Sequence, residues 1–284
     1  MFLTSYIFKS KAVRALKGNW QTALIVSFLA GLPATVNMLL RSTQLPAVYP
    51  GISVEELLGA VEQIGPGTYW LLGVAGLISL LLMPVLSVSC NYYFIKRVQG
   101  EDLGVMGVLS RRKYFVRALI LHLYMYVRIL GWSLLFIVPG VLAALRYAMA
   151  PYYLAENPEL TPTQAINKSK EVMADKKLGY LLLLLSFVGW ALMAYVTQIM
   201  LLSISLIIAQ VAYQFIELFL ITYLNASVAA FFLAASRAGG IDSAKKEADS
   251  FMRQIGARVP GDAGNRDREH KPDGEEKTDG EDQE

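Results

Sequence analysis

The sequence predicts an all-α integral membrane protein with about six transmembrane helices and additional cytoplasmic amphipathic helices. Three observations predict it. Of 284 residues, 55% are hydrophobic and 17% charged, against about a quarter charged in an ordinary soluble domain, and the mean hydropathy is +0.42. The apolar residues lie in blocks of the length that crosses a bilayer, about 20 residues at 1.5 Å rise each. The charges are also asymmetric: residues 1–235 hold 17 Lys and Arg against 10 Asp and Glu, and residues 236–284 hold 9 against 13.

The chain divides into a basic amphipathic N-terminal helix (1–19), a transmembrane domain (20–235) and an acidic, mostly disordered cytoplasmic tail (236–284). Lys9, Lys11, Arg14 and Lys17 alternate with Ile7, Phe8, Val13 and Leu16, the mixture of a helix lying at the headgroups. Span one follows from Trp20 to Leu40. It lacks a small-residue cleavage site, so it is expected to stay in place. The polar stretch from Arg41 to Gly67 holds three glutamates, Glu55, Glu56 and Glu62, with Arg41 as its one cation, and belongs outside.

Span two runs from about Thr68 to Ile95, with Trp70, Tyr92 and Tyr93 as interfacial aromatics and Pro84 as an expected kink. The basic run Lys96 to Arg117 returns the chain to the cytoplasm. Ala118 to Ala155 is read as a hairpin of spans three and four turning at Pro139-Gly140, with a short return limb that calls for tilt or local thinning; the alternative, a single kinked helix, would put the next basic segment outside. Next, Thr161, Pro162 and Gln164 form a capping-box start. The helix near 161–177 then places Ala165, Ile166, Ser169, Val172 and Met173 on one face, expected on the inner membrane surface. Residues 178–235 are divided into spans near Leu178–Met200 and Ala212–Ala235, with Leu201–Val211 as an apolar external connection or a partly re-entrant piece. The expected cytoplasmic segments before the tail hold 14 Lys or Arg, so both termini are placed inside. Beyond Gly256 the composition is that of a disordered segment.

Chemistry-bearing residues are few. An ionisable group inside a membrane costs about 2.5–3.5 kcal/mol on insertion scales unless paired or wet, which singles out Arg128, Arg146 and Glu217. Tyr124 and Trp132 lie four residues either side of Arg128, on the same face. A Glu217 pair with either arginine would make a polar site; snorkelling arginines and an interfacial Glu217 are the plain alternative. His122 reads as an interfacial histidine and Cys90 as a small buried hydrophobe. No cofactor, zinc, phosphate-loop or nucleophile motif is present, and adjacent Glu55-Glu56 reads as a solvated loop. Ala226, Ala230 and Ala234, like Ala144 and Ala148, have small-xxx-small spacing for close helix packing. Basic residues beside apolar blocks report topology and anionic lipid rather than nucleic acid.

The stretch Gly131-Trp132-Ser133 through Pro139-Gly140, then Arg146-Tyr147-Ala148-Met149-Ala150-Pro151-Tyr152 and Glu156-Asn157-Pro158-Glu159-Leu160, resembles a family of bacterial multi-pass membrane proteins, the domain-of-unknown-function family nine-seven-five. Ala165-Ile166 with Ser169-Lys170 and Met173, Leu185 to Trp190 and Ala15 to Trp20 extend the resemblance over roughly residues 5–235. Glu156 stands where the family often has Asp. The resemblance implies a bacterial cytoplasmic-membrane protein of about six helices, with no activity, substrate or catalytic residue to carry over.

The leading expectation is a non-enzymatic protein whose cytoplasmic face, with Glu156, Asn157, Lys168 and Lys170 and the tail, contacts lipid headgroups or a protein partner. The alternative is a small transporter or lipid-handling channel using Arg128, Arg146 and Glu217.

Overall fold

A computed structural model describes residues 2–44, 53–62, 64–106, 113–237 and 240–242, together with residues 246 and 250. The expected tail beyond 250, and Arg111 and Arg112, lie outside the described residues. Among the described residues ten helices follow one another: α1 (Phe2–Leu16), α2 (Trp20–Gln44), α3 (Val54–Glu62), α4 (Pro66–Val98), α5 (Phe115–Leu135), α6 (Ile137–Tyr147), α7 (Ala150–Glu156), α8 (Pro162–Val172), α9 (Lys177–Leu202) and α10 (Leu206–Ser236). Five stretches of the described residues are long and apolar enough to cross a membrane: Trp20–Leu40, Pro66–Val98, Phe115–Leu135, Lys177–Leu202 and Ile208–Ser236.

Side-chain bonds sort the helix ends. Arg97 Nε, near the end of α4, donates to the Ala15 carbonyl of α1 at 2.9 Å. At the start of α5, Arg117 donates to the Pro158 carbonyl just beyond α7. Lys176, before α9, reaches the Ala235 carbonyl at the end of α10 at 3.1 Å. One end of the bundle therefore gathers the helix termini that carry Arg97, Arg117 and Lys176. The opposite end holds the turns after α5 and α9, and the described side chains on those turns bear no charge.

The largest fully buried side chains concentrate near the basic end, where Tyr93, Phe94, Met149, Leu154, Phe231 and Phe232 interlock. Tyr153 meets Phe232 edge-on at 5.0 Å and Phe8 meets Phe231 at 5.3 Å, an arrangement favoured by the ring quadrupoles. Away from this core the helices present apolar side chains outward, including Leu130, Leu192 and Val196. Apolar surface turned outward on this scale is compatible with a chain that lies in lipid.

Several expectations need correction. The hairpin turns at Phe136, which is extended at φ −158°, ψ 150°, and not at Pro139-Gly140. Proline is tolerated in the first turn of a helix because its missing N–H has no partner there, so α6 starts ahead of it. α6 and α7, 11 and 7 residues long, are separated at Ala148-Met149, because Pro151 has no N–H to continue the ladder. Together they run back alongside α5, which they match in length.

The expected connection Leu201–Val211 is mostly helix. α9 and α10 are joined by Ser203, Ile204 and Ser205, with Ser205 N donating to Leu201 O at 3.1 Å and Ala209 N to Ser205 O at 3.0 Å. Helix satisfies the backbone where water is scarce, so a tight turn replaces the longer loop. The expected loop at Glu55-Glu56 is α3, closed by a reciprocal cap between Ser53 and Glu56, both bonds at 3.1 Å.

α1 and α8 do not rest their apolar faces on lipid as expected. Ile7, Phe8, Ala12 and Leu16 are buried, with α1 packed on α10, α9 and α4. Ala165, Ile166, Ser169 and Met173 are buried too, with α8 against α7, α5 and α6. In both cases the bundle itself offers an apolar partner for the stripe.

Candidate functional site

Two places collect polar side chains. The first is the basic end, where α1 turns into α2 through Gly18, at φ +83°, a left-handed conformation that glycine adopts without cost. This turn holds α1 against the end of α4. Arg97 is 8% exposed and fixed from three sides: by the Ala15 carbonyl, by the Asn19 side-chain oxygen, and by Asp102 at 3.7 Å. Lys11 and Arg14 of α1, with Lys17 in the turn just after it, join Arg97 around a cavity of about 380 Å³. Lys9 is not part of this cluster. It turns into the bundle, donating to the Ser186 carbonyl at 3.0 Å and lying 4.3 Å from the Phe187 ring centre.

At the same end, Thr161 caps α8 with the reciprocal Gln164 bonds that the sequence implies, 3.3 and 2.9 Å. Ser169, fully buried, donates to the Arg146 carbonyl at 2.7 Å and accepts from Met149 N at 3.2 Å. One hydroxyl thus satisfies backbone groups on both sides of the break before α7. Of the contact residues expected here, Glu156 is half-buried and Asn157, the C-cap of α7, is exposed. Lys168 is exposed and 5.9 Å from the Tyr153 ring. Lys170 is half-buried near Tyr147 and donates to Asn167 at 3.4 Å.

The second place is a groove between α2, α4 and α10, a cavity of about 460 Å³. Glu217, Gln214, Asn225, Asn91, Cys90, Ser27, Thr35 and Ser87 contribute its polar lining, and Phe28 and Phe215 stand among its apolar walls. Positions 214, 217, 221 and 225 recur at helical spacing, so they share one face of α10. Ser27 Oγ is buried without a hydrogen-bond partner. The amides nearby find only sulfur: Asn225 Nδ2 lies 3.9 Å from Cys90 Sγ, and Gln214 Nε2 the same distance from Met38 Sδ.

The three expected intramembrane charges are not brought together. Arg128 donates to the Tyr124 hydroxyl at 2.9 Å and lies 4.4 Å from that ring's centre. Trp132 is 48% exposed and makes no ring contact with it among the described residues. Arg146 is exposed on α6. Glu217 is exposed and takes part in none of the ion pairs found among the described residues, Lys96–Glu101, Arg97–Asp102 and Arg117–Glu159. His122 is buried, its Nδ1 2.9 Å from the Ala118 carbonyl. Among the described residues no three His, Cys, Asp or Glu side chains gather to hold a metal.

Sequence reasoning missed Arg97 as the centre of the basic end and missed Ser27, Asn91 and Asn225 as groove residues. A signal for the amides exists: polar side chains inside apolar blocks are expensive in lipid whether or not they are charged. The search for ionisable groups passed them over.

The family model described as "Protein of unknown function (DUF975)" matches residues 135–239. The resemblance read from the sequence is thereby found from the hairpin turn to the end of α10. No curated protein and no solved structure matches the chain.

Proposed function

We propose that this chain is a non-enzymatic multi-pass protein of a bacterial cytoplasmic membrane, whose basic end faces the cytoplasm and holds anionic lipid headgroups. The observation that carries this reading is the cavity ringed by Lys11, Arg14, Lys17 and the buried Arg97. Arg97 is pre-positioned by α1 and Asn19, so little side-chain entropy is lost when an anion arrives. The cations of α1 supply the attraction, about 1 kcal/mol for each basic residue near an anionic surface.

The topology belongs to the same reading. α2, α5 and α9 leave the cytoplasm, and α4, α6 with α7, and α10 return to it, making six crossings with both termini inside. The short α6–α7 limb is the fourth. The positive-inside rule supports this orientation, since the described Lys and Arg side chains cluster with the helix ends assigned to the cytoplasm. The exposed face of α8 with Asn157 and Lys168 is then free to meet a protein partner.

The test is lipid selectivity in nanodiscs of mixed phosphatidylglycerol and phosphatidylcholine, read by native mass spectrometry. A Lys11→Gln, Arg14→Gln, Lys17→Gln variant is expected to lose roughly 3 kcal/mol of its preference for the anionic lipid. An unchanged preference rules the reading out. A transporter built jointly on Arg128, Arg146 and Glu217 draws less support, because Arg128 is engaged by Tyr124 and Glu217 lines a separate groove.

A further inference from the structure

Two ionisable side chains midway along the bundle, Arg146 and Glu217, are exposed, and no hydrogen bond or ion pair of either side chain is found among the described residues. They also share a level. α4 and α10 both end at the basic end, and Asn225 lies beside Cys90, so eight positions back Glu217 is level with Leu82. Met83 lines both the Glu217 groove and a neighbouring cavity with Tyr126 of α5, which brings Tyr126 to the same level. Across the hairpin Gly140 faces Ser133, and six positions further down both limbs Arg146 stands beside Val127. Carboxylate and guanidinium therefore lie within about one helical turn of the same height, roughly 22 Å from Arg97 at 1.5 Å per residue.

Within one chain the two stay apart, because α6 packs mainly on α5, α8 and α9, and α10 mainly on α9, α1, α4 and α2. Charges at such depth are costly in lipid unless paired, and headgroups lie at the bilayer faces, away from this height. The surfaces around the two groups match in shape. On α6, Val138, Leu142 and Arg146 recur four apart as an exposed ridge, the kind that seats in the groove of another helix. Beside Glu217 the groove carries Gly31 and Ala34 of α2, and the space over Gly31 is open; small residues let a second helix approach closely. Ser79 donates to the Pro33 carbonyl, so Gly31 lies near the height of Glu217. Ala34 is about one turn further out, as Leu142 is from Arg146.

We propose that this chain associates with a second copy of itself within the membrane, the α6 ridge of one copy seated in the groove of the next and Arg146 paired with Glu217. Both copies cross the bilayer in the same sense, so equal height in one chain becomes contact between two. Ridge and groove lie on different faces, which makes the contact heterologous, and its closed form is a ring. The inference rests on the membrane placement in the proposed function and not on its headgroup site.

Full-length chains carrying a C-terminal fluorescent protein, diluted into phosphatidylcholine vesicles and counted by stepwise photobleaching, provide the test. The unmodified chain is expected in groups of at least two copies. Glu217→Gln and Arg146→Gln should each weaken association about ten-fold, the scale of one charge-assisted hydrogen bond. Mixing the two variants should restore pairs that grow no further, since one variant keeps the carboxylate and the other the guanidinium. Restored pairs also show that both variants fold. Should one variant fail to fold, the other is set against its charge-keeping counterpart, Arg146→Lys or Glu217→Asp, which should retain the groups.

The proposal is overturned by single copies of the unmodified chain, by groups indifferent to both substitutions, or by a mixture that stays single. Neutral phosphatidylcholine leaves the headgroup site out of the result, and flotation separates the failures. A chain that does not rise with the vesicles overturns the membrane placement and this proposal together, whereas a floated chain counted as single copies overturns the association alone.

Discussion

At the scale of single residues, Gly140 and Ser169 show how little room the hairpin leaves. A Cβ at Gly140 would run into Ser133 Oγ and come within 2.9 Å of the Ser133 Cα on the facing helix. Because backbone lies behind the clash, the side chain cannot simply rotate away. Gly140→Ala is therefore expected to cost about 1–3 kcal/mol, the range for overpacking, seen as a lower thermal midpoint in detergent. Ser169→Ala removes one hydroxyl but strands two groups, the Arg146 carbonyl and the Met149 amide. An unsatisfied buried donor costs about 1–3 kcal/mol, and Ser169→Thr, which keeps the hydroxyl, should recover part of it unless the added methyl is refused. Circular-dichroism melts of both variants separate these outcomes. Glycine and serine are both common in apolar helices, and nothing in their neighbours distinguishes these two from the rest. Their contacts come from residues 7 and 23 positions away, beyond the reach of local pattern.

At the scale of elements, what could be read in the sequence depended on whether the signal was local. The start of α8 was legible because a capping box is written in four consecutive residues, Thr161 to Gln164, and both of its bonds are present. Removing the cap with Thr161→Ala should cost about 1 kcal/mol, measurable as faster amide exchange confined to the first turn of α8. The same pattern, Ser53 with Glu56, marks α3. The expectation of a loop there followed the charges of Glu55 and Glu56 and overlooked the cap. Span limits were legible where charge ends an apolar run, as at Lys96 and Lys177. They were not legible within residues 201–211, where apolar helix and apolar turn have the same composition. The partners of amphipathic faces were equally hidden: a stripe on α1 or α8 announces that it will be buried, without saying whether lipid or protein buries it.

At the scale of the whole molecule, the proposed orientation makes one consequence measurable. In a Cys90→Ala background, Leu58→Cys on α3 is expected to react with an impermeant maleimide added to intact cells, and Lys168→Cys only after the cells are opened. The reverse pattern inverts the topology. The groove of α2, α4 and α10 was half legible: Glu217 was singled out, but its neighbours come from three helices and no single stretch announces them. The elbow at Phe136 bears on how such a chain is assembled. Leu134, Leu135, Phe136, Ile137 and Val138 are 63–80% exposed and wholly apolar, so the tip of the hairpin asks for no water. A folded pair of helices with such a tip can enter the bilayer as one piece during synthesis, without a polar loop being dragged through it. In the proposed topology Arg128 makes the passage already held by the Tyr124 hydroxyl, and a Phe136→Asp substitution should turn this easy insertion into a costly one, leaving more chain extractable from membranes at alkaline pH.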